Sequence, residues 1–405
     1  MRVRRAARRV AASPKTVVVL AVVAALGLAG CTSSADDEPA DTAAGCITDY
    51  DADTDYFPDK SVITDAENFS ITYEKSYQVL TVDQPYPDAE PESYVLVKCG
   101  APAPELSGDL AGSQQITVPI SSLHSGSTTH LPLITELGVL DVLNGVSNGS
   151  YVSDQQVIDR IAAGDVTEYA TGGTIDTEAV VVADPDVVMT GGTDDPAYAQ
   201  LRDAGIGVVA NAEWLEATPL GRAEWIKVMA ALTGTQAKAD EVYTDIRNRY
   251  LEVEALASDV EPAEVLLGNL SQGTWYMTSG GSYMGRYYTD AGARWPWQSD
   301  TGTGSLPISF EAVFTETSTA PTWLVANSWT TVAEAIADDE RYGRLTAVQS
   351  GQLWNANKAT NPQGGNDFYE RGVLRPDLVL SDLVAILHPE LLPDHEFTFY
   401  QLLPA

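Results

Sequence analysis

The sequence predicts an α/β protein built from two parallel-sheet lobes joined by a long helical segment. Three observations carry that expectation. Short β-branched runs alternate with helix-spaced stretches between residues 116 and 210, the pattern of βαβ units. From Pro219 to Ser258 the apolar residues Trp225, Met229, Leu232, Val242, Ile246, Tyr250 and Val253 recur at three- and four-residue steps, which is helical spacing. A second set of strand-like runs then begins at Val265-Leu266-Leu267.

Taken in order, residues 60–100 alternate in strand fashion, with Phe69, Ile71 and Tyr73 on one face and Tyr94-Val95-Leu96-Val97 closing the run before Cys99-Gly100. Ile116 to Ile120 reads as a buried strand. It leads into a polar loop, Ser121 to His130, and then into helical spacing from Leu131 to Leu140. Val180-Val181-Val182 is followed by Val187-Val188-Met189, a strand that stops at Thr190-Gly191-Gly192. A helix over Ala199–Ala204 and a strand over 205–210 complete this block. Thr233-Gly234-Thr235 predicts a break in the connecting helix, because Gly is a poor helix former. In the second block Glu311–Thr315 opens a short helix, Thr322–Val325 and Leu353–Asn355 are strands, and Arg375–Leu380 opens the final helical stretch.

The start of the chain has the three-part layout of a secretory signal: Arg2, Arg4, Arg5, Arg8, Arg9 and Lys15, an apolar run from Val17, then Leu28-Ala29-Gly30 before Cys31. Leu-Ala-Gly-Cys resembles the bacterial lipobox, which implies that Cys31 becomes the lipidated first residue. Such a chain sits outside the cytosol, anchored to the outer face of the cell membrane. Thr32 to Gly45 holds small and polar residues only and reads as a tether. The expected organisation is a signal peptide at 1–30, a tether at 31–48, an N-terminal lobe at 49–218, a connecting helix at 219–258 and a C-terminal lobe at 259–405.

The chain carries 57 acidic against 23 basic residues, a formal net charge of −34, and the basic signal segment leaves with cleavage. So acidic a body repels phosphates, which excludes nucleic acid as a partner. Beyond Cys31 two cysteines remain. In an oxidising compartment Cys46 and Cys99 read as a disulfide, with two isolated thiols as the alternative.

Catalytic signatures are absent. There is no nucleophile elbow, no His-Glu-x-x-His and no phosphate-cradling glycine loop. His124 and His130 share one loop, either as ligand contacts or as solvated imidazoles, and no metal-ligand set is recognisable. Aromatics gather at Trp275, Tyr276, Tyr283, Tyr287, Tyr288, Trp295 and Trp297, with Arg286 and Arg294 among them. Aromatic rings beside arginines suit a large, flat, partly anionic ligand; an aromatic core segment is the alternative.

With these residues in view, the chain is similar to the substrate-binding proteins of ABC importers, in their helical-backbone class that serves iron–siderophores, haem and cobalamin. The matching segments are Ile175-Asp176-Thr177-Glu178 with Asp184 to Met189, Ser309-Phe310-Glu311-Ala312-Val313 before Trp323, and the ending Gly364 to Glu370 with Arg375 to Leu383. The resemblance implies two Rossmann-like lobes joined by a long α-helix, with the ligand cleft between them. It implies a monomer that binds a small molecule, most specifically a ferric siderophore, and hands it to an ABC permease, with no resident cofactor. Ligand contacts are then expected from Ser122, His124, His130, Thr190, Trp275, Tyr276, Tyr283, Arg294, Trp295 and Trp297. Permease docking is expected from one acid on each lobe, Glu178 and Glu311. A secreted hydrolase is the rival from another class, but no catalytic carboxylate pair stands out by spacing.

Overall fold

The computed structural model describes residues 45–405. The signal segment, Cys31 and most of the tether lie outside the described residues. Four sheets organise the body. The first is made of Phe69–Tyr73, Tyr77–Val82, Glu92–Lys98 and Gln114–Val118, antiparallel except for the last pair. Cys46 is joined to Cys99 by a disulfide at the end of the third of these strands.

The N-terminal lobe has a five-stranded parallel sheet. Its spatial order is Thr167–Glu168, Leu143–Val146, Leu123–Ser125, Val187–Thr190 and Gly207–Ala210. Leu131–Glu136 makes the first crossover, and Gln155–Ala163, Thr177–Ala183 and Pro196–Asp203 make the other three, each of these started by an aspartate cap (Asp154, Asp176, Asp195) that accepts backbone N–H groups of the first turn. Val180-Val181-Val182 lies inside the second of these capped helices. The cap at Asp176 and the local tertiary packing override the β preference of three consecutive valines.

The C-terminal lobe repeats the plan with Ala293–Arg294, Ala263–Leu267, Thr322–Val325 and Leu353–Asn355 in parallel. The tail strand Gln401–Leu402 adds antiparallel at the edge. A separate antiparallel sheet, Asn269–Ser271, Thr274–Thr278 and Ser305–Ile308, packs beside it.

The connecting segment is three helices, Pro219–Glu224, Ile226–Thr233 and Gln236–Ala257, with Gly234 in the left-handed conformation (φ 74°) at the break the sequence predicts. Ile226–Thr233 is apolar almost all round and wholly buried, as a helix of that composition must be. The last helix runs from one core to the other. Its Tyr243 and Ile246 belong to the N-terminal core, and its Tyr250 and Ala257 to the C-terminal one. Two buried glutamates fasten the chain before the first sheet to this axis. Glu224 accepts the N–H groups of Thr64, Asp65 and Ala66 at 2.6–3.0 Å and pairs with Lys227 at 2.7 Å. Glu216 accepts those of Glu67 and Asn68. Such groups are tolerated inside only when fully hydrogen-bonded.

Candidate functional site

Parallel strands of both lobes deliver their C-terminal ends to one cleft of about 1400 Å³, the place where open α/β sheets hold ligands. The N-terminal lobe supplies Gly126-Ser127-Thr128 after its central strand, Asn148 and Tyr151 after Leu143–Val146, Tyr169 after Thr167–Glu168, and Asp195 and Tyr198 beyond Val187–Thr190. The C-terminal lobe supplies Asn327-Ser328 after Thr322–Val325, then Asn357, Lys358, Asn366 and Tyr369 beyond Leu353–Asn355.

Glycine at position 126 is required by packing. A Cβ there would lie 2.7 Å from the Met189 carbonyl oxygen, so the two loops could not approach. On the other side Asn355, wholly buried, ties the loops together. Its Nδ2 donates to the carbonyls of Asn327 and Trp329 at 2.9 and 2.8 Å, and its Oδ1 accepts the Asn327 N–H at 3.0 Å. Asn357 donates to the Trp329 carbonyl and accepts from Gln401, both at 2.8 Å. The loop backbone is thereby fixed before any ligand arrives.

The electrostatics contrast with the rest of the molecule. Among the described lining residues there is one carboxylate, Asp195, and one ammonium, Lys358. Both are engaged: Asp195 caps the helix at Ala197, and Lys358 donates to the Phe397 carbonyl. The remaining polar groups are amides, aliphatic hydroxyls and phenols. Burial pushes Tyr169, Tyr198 and Tyr369 above the ordinary phenol range, so all three stay protonated and neutral. No group of three His, Cys, Asp or Glu among the described residues is arranged to hold a metal ion. The cleft therefore offers neutral donors and acceptors plus aromatic faces, with Tyr151 and Tyr369 64% and 50% exposed.

The residues expected from the sequence fall differently. The expected loop Ser121–His130 contains the central strand Leu123–Ser125, and only Gly126, Ser127 and Thr128 beyond that strand line the cleft. Ser122 lies at the opposite end of that strand, bound to Asp186. His124 is buried behind the cleft. Its ring packs 5.1 Å from that of Tyr169 and its Nδ1 meets Asn144 at 3.0 Å, while burial lowers its pKa. His130 is fully buried against Ser125, and burial pushes it down to about 3. Neither imidazole lines the cleft, because each has found a polar partner inside the lobe. Thr190 faces a different, smaller cavity.

Trp275 sits in an aromatic core with Trp323, Tyr342 and Phe310, its indole N–H donating to the Leu267 carbonyl at 2.8 Å. Trp295 is buried likewise, donating to Thr278. Tyr276 is exposed on the hairpin, Arg294 pairs with Glu264 at 3.1 Å on the surface, and Trp297 packs against the C-terminal core. A backbone carbonyl satisfies each buried indole, and this removes the polar reason for keeping those rings near solvent.

Two of the expected contacts border space joined to the cleft: the cavity at Thr190 shares Thr193 and Tyr198 with it, and Tyr283 borders another. A cavity of about 300 Å³ lined by Tyr283, Trp214 and Arg222 shares Ser127, Thr128 and Tyr369 with it. Glu178 and Glu311 are exposed in the first turns of Thr177–Ala183 and Phe310–Thr317, one on each lobe. Of the cleft residues that were missed, Gly364, Asn366 and Tyr369 belong to the Gly364–Glu370 segment already notable in the sequence. Asn327 and Asn357 follow predicted strands directly, a position that by itself marks a crevice.

Comparison with known proteins agrees with this architecture. An uncharacterized lipoprotein of Methanocaldococcus jannaschii is 24% identical over 328 residues, which is 77% of this chain and 76% of that one. A periplasmic binding protein from Veillonella parvula superposes with a TM-score of 0.54 at 13% identity, covering 78% of this chain and 99% of its own. A possible iron-binding (periplasmic solute-binding) protein from Staphylococcus epidermidis gives 0.52 at 15%, covering 67% and 99%. The periplasmic heme binding protein of Vibrio cholerae gives 0.51 at 17%, covering 64% and 98%. The family model described as "Periplasmic binding protein" matches residues 120–359, more than half of the chain and every strand that feeds the cleft except Gln401–Leu402, and the chain belongs to that family.

Proposed function

We propose that this protein is a lipid-anchored, extracytoplasmic receptor that captures a ferric siderophore in the interlobe cleft and presents it to an ABC importer. One observation carries the reading: a cleft of about 1400 Å³ walled by strand-end loops of both lobes, whose lining balances one carboxylate against one ammonium. A ligand that fills such a space exceeds a bare ion or a simple metabolite in size. With no metal-ligand cluster among the described residues, iron enters already wrapped. Neutral amides and protonated phenols suit a chelate of little net charge, because a highly charged one would lose its hydration without gaining a counter-ion. A ferric trihydroxamate meets that description. The two haem propionates would face Lys358 alone. The iron-binding and heme-binding proteins among the structural neighbours support a metal-chelate ligand.

The anchor is proposed on Cys31, after removal of residues 1–30, with residues 31–48 as the tether and residues 49–218, 219–258 and 259–405 as lobe, connector and lobe. The lipoprotein relative supports it. Docking to the permease is proposed through Glu178 and Glu311, whose separate exposed positions suit a two-point electrostatic contact.

The test is a thermal-shift comparison of ferrioxamine B, cyanocobalamin, haemin and ferric citrate. A ligand that binds only the folded form at about 100 times its Kd adds about 2.7 kcal/mol. Ferrioxamine B is expected to raise the melting temperature by several degrees. No response to any of the four removes the receptor reading.

A further inference from the structure

The 300 Å³ cavity that adjoins the cleft has a character of its own. The main cleft is neutral and polar, whereas this annex is walled by rings. Trp214 is 40% exposed and held by its indole N–H on the Gly191 carbonyl at 3.2 Å. Tyr369 stands edge-on to Phe368 at 5.1 Å. Tyr283, half-buried, lies under the Arg222 guanidinium at 4.1 Å. Arg222 is buried, and Glu213 engages it at 2.6 Å, so its charge is matched and it does not call for an anion. The rings come from three parts of the chain, the N-terminal lobe (Trp214) and two separate segments of the C-terminal lobe (Tyr283, Tyr369), so their convergence is tertiary.

Resting on the receptor reading above, we propose that this annex is a specificity subsite for a flat aryl group carried on the chelate, with Trp214, Tyr283 and Tyr369 as its stacking surfaces. The size fits. A dry cavity of about 150 Å³ holds benzene, so twice that volume admits a one- or two-ring system. The electronics fit as well. A guanidinium over the Tyr283 ring polarises it, and exposed Trp and Tyr faces in a concave site gain from stacking that aliphatic walls do not provide. A part of the ligand that is polar and unringed stays in the amide-rich cleft. Two chemistries carry such an aryl group on a metal chelate: an aryl-capped hydroxamate and a corrinoid with a base-bearing tail.

Two matched pairs of probes separate these sources and test the subsite on the full-length protein. N-benzoyl ferrioxamine B is compared with N-acetyl ferrioxamine B, and cyanocobalamin with dicyanocobinamide, by fluorescence titration. The ring-bearing member of one pair is expected to bind at least 10-fold more tightly, and the pair that shows this identifies the source. Trp214→Ala and Tyr283→Ala should each shrink the preference to under 3-fold while leaving the ringless member's affinity unchanged, which also verifies that the variant is folded. Trp214→Phe should keep most of the preference. Equal affinity within both pairs overturns the subsite and leaves the receptor reading standing. An undiminished preference in both alanine variants overturns the assignment to these rings. Binding of neither pair overturns the subsite, and with haemin and ferric citrate silent as well it overturns the receptor reading.

Discussion

Glu370 of the C-terminal lobe reaches across the lobe boundary and accepts the backbone N–H of Ser153 at 2.7 Å, and that of Asp154 at 2.9 Å. Asp367 accepts the Ser153 hydroxyl and Asn361 donates to the Val152 carbonyl, so one short stretch before the helix Gln155–Ala163 is held from the opposite lobe. Burial pushes Glu370 up to about 7, against the opposing pull of the two N–H groups. Because its folded pKa lies above the ordinary value of 4.5, the folded state holds the proton more tightly. The stabilisation this gives is complete below the ordinary value and is lost as pH rises through 7. Relative to Glu370→Gln, which does not titrate, the wild type is expected to gain about 2–3 kcal/mol of unfolding free energy between pH 8 and pH 5. Denaturant unfolding at several pH values measures it, and a pH-independent difference between the two proteins would contradict it.

Trp275 and Tyr369 should respond to truncation in opposite ways. Trp275→Ala empties the centre of the aromatic core and is expected to cost about 3–5 kcal/mol. Tyr369→Ala removes a half-exposed ring from the cleft and should change stability by less than about 1 kcal/mol while weakening chelate binding at least 10-fold. Thermal unfolding and a binding titration on the same two variants separate the roles.

Glu224→Ala should be among the most damaging single changes. It releases the backbone of Thr64, Asp65 and Ala66 and leaves the Lys227 charge buried without its nearest counter-charge. Breaking a buried pair from one side costs about 3–5 kcal/mol. Urea unfolding tests the figure.

Glu178→Ala combined with Glu311→Ala should leave chelate affinity unchanged and lower uptake at least 10-fold in cells carrying the cognate permease. Normal uptake by the double variant would remove the docking assignment. Arg341, 3.6 Å from Glu311, is a weak exposed partner that should not hold that carboxylate back from a better one.

Local signals recovered the architecture well. Strand runs such as Val187-Val188-Met189, the break at Gly234 and the terminal helix after Pro376 follow from residue pattern, because each is decided by neighbours in sequence. The site was less legible. Aromatic composition around Trp275 and Trp295 looks the same whether the rings face a ligand or a core. What decides is the distant carbonyl that takes each indole N–H. The two histidines were equally ambiguous until Asn144 and Ser125 appeared as their partners. The strand-end rule, applied to the polar stretch Ser121–His130 after Ile116–Ile120, finds the cleft only in part, because the central strand Leu123–Ser125 lies within that stretch and only Gly126-Ser127-Thr128 beyond it line the cleft; carried to Val325 and Asn355 the rule also finds Asn327 and Asn357. The anchors Glu224, Glu216 and Glu370 act on backbone groups far away in sequence and leave no periodic trace.

The most direct measurement of the central claim is a fluorescence titration of the wild type and Tyr369→Ala with ferrioxamine B, with cyanocobalamin as competitor. The account predicts saturable quenching with a Kd in the micromolar range or below, weakened at least 10-fold by the substitution. Saturable binding that ignores Tyr369→Ala, or no binding of either chelate, would contradict it.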